Sequence, residues 1–457
     1  MFDRLLLAAG LAVALASPAR AASPDEIAAL RAEFDRKFQS LQSDYEARLK
    51  ALESRVQTAE IKADNAQQDA AANASPPPVS AGAFNPEVSL ILQGAYIDRA
   101  GGQRPITGFM PVESPARVDR GFTLDDSELV FAANIDPYVR GFVDLAVADD
   151  KVNVEESWFQ TLNLGYGLTV KGGRFLSGIG YQNERHPHAW DFADNNLMYS
   201  ALFGEHLVQD GLQVRWLAPT ELFMELGAEV SRGQFFPGSD AGGDRNGAGA
   251  WAAFAHLGGD VGASNAWRAG VSYLRARPRE REAFLNDVND FEGLTRFSGN
   301  SKTWLGDVVW KWSPNGNSQQ RNVVFAAEYF HRNDDGDLSC ADNTADGGAC
   351  TGLQDRYASA QSGGYAQAVY QFMPRWRTGL RYDRLSSGSV DFGANQAFLH
   401  DSRFDPSRWS LMTDYSPSEF SRFRLQVARD KSLQGDPDNQ LILQYIMSIG
   451  PHGAHKF

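Results

Sequence analysis

From Pro86 onward the chain is cut into segments of about ten residues in which apolar and polar side chains alternate, with Gly, Pro, Asn and Asp between them. A period of two is the pleat of a β-strand, because successive side chains point to opposite faces. Leu222, Met224, Leu226, Ala228 and Val230 fall on one face, with Glu225, Gly227 and Glu229 on the other. Likewise Phe423, Leu425 and Val427 oppose Arg422, Arg424 and Gln426. Such a chain has two solutions. A soluble sandwich turns its polar face outward, whereas a membrane barrel turns the apolar face to lipid and the polar face to a lumen. Alternation by itself does not choose between them.

Connection lengths do choose. Segments 135–138, 164–167, 218–221, 258–265, 313–319, 373–375 and 416–419 read as short connections. Between them fall longer ones, 98–121, 175–210, 232–247, 278–300, 333–356 and 386–406, with 149–151 and 431–438 as short members of that series. Tight turns at one end and longer loops at the other are the pattern of an outer-membrane barrel. The expected fold is all-β: a transmembrane antiparallel β-barrel of about 16 strands over 86–457. Trp216, Trp251, Trp267, Trp304, Trp310, Trp312, Trp376 and Trp409 sit near segment ends. Their amphipathic rings favour the two interfaces of a lipid slab. Beyond the N-terminus no apolar run reaches the roughly 18 residues that a spanning helix needs.

The first 85 residues have a different character. Residues 1–21 read as a secretory signal peptide: Arg4, an apolar stretch over 5–16, and Ala19-Arg20-Ala21 for cleavage. Residues 24–67 read as a helical coiled coil. From Leu30 through Phe34, Phe38, Leu41, Tyr45, Leu49 and Leu52 to Val56 the steps run 4, 4, 3, 4, 4, 3, 4. That eleven-residue period keeps one narrow apolar stripe in line. A lone helix cannot bury such a stripe, so its partners are expected to be copies of itself. Residues 68–85 form an Ala/Pro-rich linker, stiffened by Pro76-Pro77-Pro78.

Residues 439–449 alternate, with Leu441, Leu443, Tyr445, Met447 and Ile449 on the expected lipid face, and the chain ends on Phe457. Bacterial outer-membrane barrels characteristically close with such a strand ending in Phe. With the signal peptide, coiled coil and strand count, the chain resembles the trimeric porins, most closely the phosphate-selective porin O and P type. One departure is Pro451 with His452 and His455, which interrupt the last strand. The resemblance implies a homotrimer in the outer-membrane lipid of a Gram-negative cell, with the coiled coil in the periplasm. It also implies an inward-folded constriction loop and an arginine ladder, the latter not mapped residue by residue.

Residues 175–210 are the candidate constriction loop. Trp190, Phe192, Leu197, Met198, Tyr199, Leu202 and Phe203 make it too apolar to stand in water. Folded inward, it would place Glu184, Arg185, His186, His188, Asp191 and Asp194 on or near the solute path. Strand alternation assigns Arg140, Asp144, Arg215, Glu225, Glu229, Arg381, Arg422 and Arg424 to the lumen wall, with Arg377, Glu328 and Asp383 as further candidates. Both signs are present, which suits a transverse field better than a strict anion ladder. His186 and His188 with Asp191, and His452 with His455, raise a metal reading. Spacing supplies no third ligand, so no metal site and no cofactor are assigned. Cys340 and Cys350 are the two cysteines of an exported chain and are expected to pair as a loop staple.

The formal net charge of −14 excludes nucleic acid, which wants a basic face. No nucleophile elbow, phosphate-cradling loop or paired-cysteine motif occurs, and the chain is read as no enzyme. The expected function is a porin: passive diffusion of small hydrophilic solutes and ions through a water-filled, loop-constricted channel. The alternatives are an anion (phosphate-like) selective channel, a metal-linked uptake barrel, and a structural tether to the cell wall.

Overall fold

The computed structural model describes residues 36, 37 and 39, and 86–450 except 101–105, 110–119, 125–126, 149–150 and 402. The signal peptide, the coiled coil, the linker and the C-terminal residues 451–457 lie outside the described residues, apart from Arg36, Lys37 and Gln39, which are helical.

Alternation becomes strands almost everywhere it occurs. In chain order these are β1 (Glu87–Asp98), β2 (Gly121–Leu124), β3 (Ser127–Asn134), β4 (Val139–Ala148), β5 (Lys151–Thr161), β6 (Leu168–Leu176), β7 (Val208–Leu217), β8 (Phe223–Ser231) and β9 (Ala250–Val261). Then follow β10 (Asn265–Ala276), β11 (Arg281–Asn286), β12 (Glu292–Trp312), β13 (Asn322–Cys340), β14 (Gln354–Met373), β15 (Trp376–Asp391), β16 (Ser407–Ser418), β17 (Ser421–Lys431) and β18 (Asp438–Ile449). All neighbours pair antiparallel, and β1 pairs with β18 from Leu90 opposite Ile449 to Asp98 opposite Leu441, which closes the sheet. Strands β2 and β3 share one stave, both lying on β1, and β10 and β11 share another, both lying on β12. The eighteen segments therefore make sixteen staves, an even number that leaves no open edge.

The face assignment follows the expected parity. On β17, Phe423, Leu425 and Val427 are exposed while Arg422, Arg424 and Gln426 are buried. On β18, Leu443, Tyr445 and Ile449 are exposed while Gln444 and Ser448 are buried. A closed barrel that is apolar outside and polar inside is built for lipid. Aromatic rings mark two levels of its outer face. Near the short turns, Trp376, Tyr415, Phe423 and Tyr445 stand opposite one another across four adjacent strands. Toward the long loops, Trp251, Tyr273 and Trp304 pack at 5.1 and 4.7 Å, and Tyr382 and Trp409 at 4.3 Å.

Three stretches expected as loops are partly ladder. Segments 278–300, 333–356 and 386–406 lose much of their length to β11–β15, of which β12 runs 21 residues and β14 runs 20. A bilayer needs only about 9–11 residues per tilted strand, so these hairpins continue past it. They do so because they carry a core of their own: Ala283, Phe297, Leu338, Tyr357, Phe392 and Leu399 cluster around Cys340 and Cys350. The two cysteines are disulfide-bonded, with Cα atoms 5.6 Å apart.

Candidate functional site

The connection between β6 and β7 turns into the barrel and docks there. It contains a short 3-10 turn, Pro187–Ala189, and the helix α1 (Leu197–Phe203). Asn196 caps α1, its side chain accepting from Tyr199 N at 2.9 Å. Leu197, Met198, Tyr199, Leu202 and Phe203 are all buried, packed with Phe254, Leu274, Leu305, Phe330 and Leu385, which the strands point inward. This sector of the wall breaks the polar-inside rule in order to receive the helix. Each large side chain so buried is worth roughly 1.5–3 kcal/mol.

Polar bonds spread the docking around the barrel. Glu229 on β8 accepts from Ser177 Oγ at 2.6 Å and Gly178 N at 2.8 Å. Glu328 on β13 accepts from Tyr181 N, Gln182 N and the Tyr199 hydroxyl at 2.9–3.0 Å, and from the Tyr365 hydroxyl at 2.7 Å. Asp383 on β15 accepts from Leu197 N at 3.0 Å. Gln426 on β17 accepts from Ala193 N at 2.8 Å, and the Trp190 carbonyl takes Arg424 Nη2 at 2.8 Å and Arg422 Nη1 at 3.2 Å. Gly180 passes at φ 67° where a Cβ would collide with the Glu328 carboxylate and the Tyr199 hydroxyl.

Five of the six loop residues singled out from sequence meet wall partners, and Arg185 bonds within the loop itself. Glu184 pairs with Arg215, which also lies 3.7 Å from Glu225. Arg185 bonds the Tyr181 hydroxyl and, at 2.7 Å, the Ala189 carbonyl. Asp191 takes Arg377 at 3.2 Å and Gln367 at 3.1 Å. Asp194 takes Arg381 at 2.7 Å, Arg408 at 2.8 Å and Gln426 at 2.7 Å. Burial opposes ionisation of Asp194, but Arg408, Arg381 and the Gln426 amide outweigh it and hold its carboxyl down to about 2. Glu184 and Arg185 remain the most open of the six, at 35% and 23% side-chain exposure, while His188 is shut in at 3%.

His186 and His188 meet acidic residues of three consecutive strands. His186 Nδ1 lies 3.2 Å from Glu155 Oε2, 3.6 Å from Asp144 Oδ2 and 4.0 Å from Glu128 Oε2. Its Nε2 lies 3.1 Å from Glu156 Oε1, and His188 Nδ1 lies 2.8 Å from Glu128 Oε1. Glu128 is not assigned from sequence, and Glu155 and Glu156 escape the reading by alternation for a structural reason. Adjacent residues 155 and 156 should face opposite ways, but the ladder slips here: Asp144 pairs with Glu156 and Leu145 with Val154, leaving Glu155 as an extra residue. A bulge of this kind re-aims a side chain, and both carboxylates reach the same imidazole.

Among the other wall residues, Glu225 lies 3.1 Å from His256 Nδ1. Arg377 and Arg424 converge on Asp414 at 2.5 and 2.8 Å. Arg140 stands apart, pairing at 3.1 Å with Glu87 at the short-turn end of the barrel, away from the loop. Asp414 and Arg408, central to the arginine group, carry no signal beyond their place in an alternating strand.

No family model matches the chain. A protein of Aquifex aeolicus (strain VF5), itself uncharacterized, is 30% identical over 407 residues, covering 83% of this chain and 81% of its own length. Among solved structures, the chain is similar to OprB of Pseudomonas putida, with 14% identity, TM-score 0.48, and 80% of this chain and 94% of that one covered. It is also similar to the outer membrane channel DcaP of Acinetobacter baumannii, with 14% identity, TM-score 0.47, and 81% and 99% covered. A loop L8 deletion mutant of OmpT, an outer membrane protein of Vibrio cholerae, matches at 11% identity and TM-score 0.49, with 80% and 99% covered.

Proposed function

The chain belongs to the same family as the Aquifex aeolicus protein, and we propose that it is an outer-membrane porin, a homotrimer that passes small hydrophilic solutes and ions by diffusion. The observation that carries this reading is the loop 177–207, bonded to Glu229, Glu328, Asp383 and Gln426 on four separate strands inside a closed sixteen-stave barrel. A barrel of this strand number leaves an aqueous channel unless something narrows it. The loop is what narrows it here, and Glu184 and Arg185, the most open of the six residues above, meet the solute first.

Charge is uneven around the lumen. Glu128, Asp144, Glu155 and Glu156 occupy β3–β5, whereas β15–β17 carry Arg377, Arg381, Arg408, Arg422 and Arg424 interleaved with Asp383, Asp414 and Asp430. The purely acidic sector facing a mixed, arginine-rich one favours a field across the path. Phosphate-like selectivity is a second reading, favoured by Arg185, Arg377, Arg422 and Arg424 gathering around only Asp191 and Asp414. Single-channel recording in planar bilayers tests the proposal. Deleting 182–196 is expected to raise conductance severalfold, and reversal potentials in asymmetric salt decide selectivity. An absence of channels from folded protein overturns the porin reading, and an unchanged conductance overturns the loop as its constriction.

A further inference from the structure

The group around His186 goes beyond what a channel wall needs. Four carboxylates, Glu128, Asp144, Glu155 and Glu156, gather there, and among the described residues their ion-pair partners are His186 and His188 alone. The nearby Lys171 ammonium lies instead over the Trp158 ring, 4.6 Å from its centroid. Glu128 and Asp144 are 0% and 1% exposed, yet Glu128 Oε2 and Asp144 Oδ1 have no hydrogen-bond partner. A buried, unmatched carboxylate oxygen is costly and demands a cation or a donor.

The geometry points to a first-row divalent transition cation, of the Zn²⁺ or Mn²⁺ kind, held by His186 Nδ1 with the carboxylates of Glu128, Asp144 and Glu155. Ligand atoms of Glu128, Glu155 and His186 already lie within 4.8 Å of one another. Bonds of about 2.0–2.2 Å put neighbouring ligands about 3.3–3.6 Å apart in a tetrahedron. The 3.2, 3.6 and 4.0 Å spacings from Nδ1 to the three carboxylates bracket that value. Glu156 supplies the outer partner. It faces Nε2 at 3.1 Å while its other oxygen is pinned by Trp158 Nε1 and Leu176 N, both at 3.0 Å. With the proton on Nε2, the Nδ1 lone pair turns to the carboxylates, the arrangement by which a carboxylate fixes the tautomer of a metal-bound imidazole. The imidazole nitrogen favours Zn²⁺ over Ca²⁺ or Mg²⁺, and the carboxylates also suit Mn²⁺. The ion would bridge β3, β4 and β5 to the loop and pin its Arg185–Pro187 turn to the acidic wall.

The test uses full-length protein in detergent, stripped with EDTA and titrated separately with Zn²⁺, Mn²⁺ and Ca²⁺ by calorimetry, with bound metal counted by mass spectrometry. One Zn²⁺ or Mn²⁺ per protomer is expected, with Ca²⁺ at least tenfold weaker. The double variant Glu128→Gln with Asp144→Asn removes two direct ligands and should weaken binding by more than the roughly 10–100-fold that loss of an outer-shell partner costs. Heat-modifiable migration on gels reports whether that barrel is folded. Glu155→Gln, at a more open position, is the second variant and should weaken binding at least tenfold. Sub-stoichiometric metal, or equal affinity in the folded variants, overturns the proposal. Metal is counted without any current, so this failure and a failure of the porin reading are separate results.

Discussion

Asp194 shows how one carboxylate can decide where a loop sits. It is bonded to Arg381 and Arg408, which also face Asp383 and Asp430, and to the Gln426 amide. Its carboxyl is held down to about 2 against an ordinary 3.8, a folded value below the unfolded one. The stabilisation, about 2 kcal/mol, is therefore fully present above about pH 4 and lost as pH falls toward 2. Current noise from loop motion should rise between pH 4 and 2 in wild type. In Asp194→Asn the noise should be high already at pH 7, because removing one partner of a buried pair costs about 3–5 kcal/mol. A flat pH response in single-channel records would dismiss Asp194 as an anchor. Gly180→Ala should also undock the loop, since the methyl group would strike the Glu328 carboxylate at the point where it accepts Tyr181 N and Gln182 N. The expected readout is faster trypsin cleavage at Arg185, with the barrel still folded.

At the scale of elements, the β6–β7 loop could be read as inward-folding because its apolar residues had to be buried. The wall sites that receive it could not be read. The Ala193–Gln426 bond spans 233 residues and the Leu197–Asp383 bond 186, distances over which no local pattern carries information. Alternation failed where packing overruled it, at the bulge that turns both Glu155 and Glu156 inward and at the inward Phe254, Leu305 and Phe330 beneath α1. The upper hairpins teach the same lesson from the other side. They looked like loops because they are rich in Asp, Asn and Gly, yet a small apolar core and a disulfide make them ladder. A thiol assay on unfolded, unreduced protein should find no free cysteine. Replacing Cys340 and Cys350 by Ser should cost about 2.5–3 kcal/mol on the chain-entropy model and loosen the β13–β14 tip alone, seen as faster amide exchange at 341–353.

The whole molecule combines a barrel with an N-terminal stretch whose apolar stripe asks for partners. Deleting 24–67, the expected coiled coil, should lower the fraction of the proposed trimer on semi-native gels and leave barrel heat-modifiability unchanged, and an unchanged oligomer would remove this stretch from assembly. The barrel's existence, its inside and outside, its sixteen staves and its cysteine pair follow from the amino-acid sequence because each rests on a short-range rule. Period two sorts the side chains into two faces, connection lengths choose which face is outward and set the hairpins, and two cysteines have only each other. The meeting of Glu128, Asp144 and Glu155 with His186 rests on no such rule. A one-residue slip in the ladder and an inserted loop bring them together, and those are properties of the tertiary structure, in which residues from three strands and a loop share one small volume.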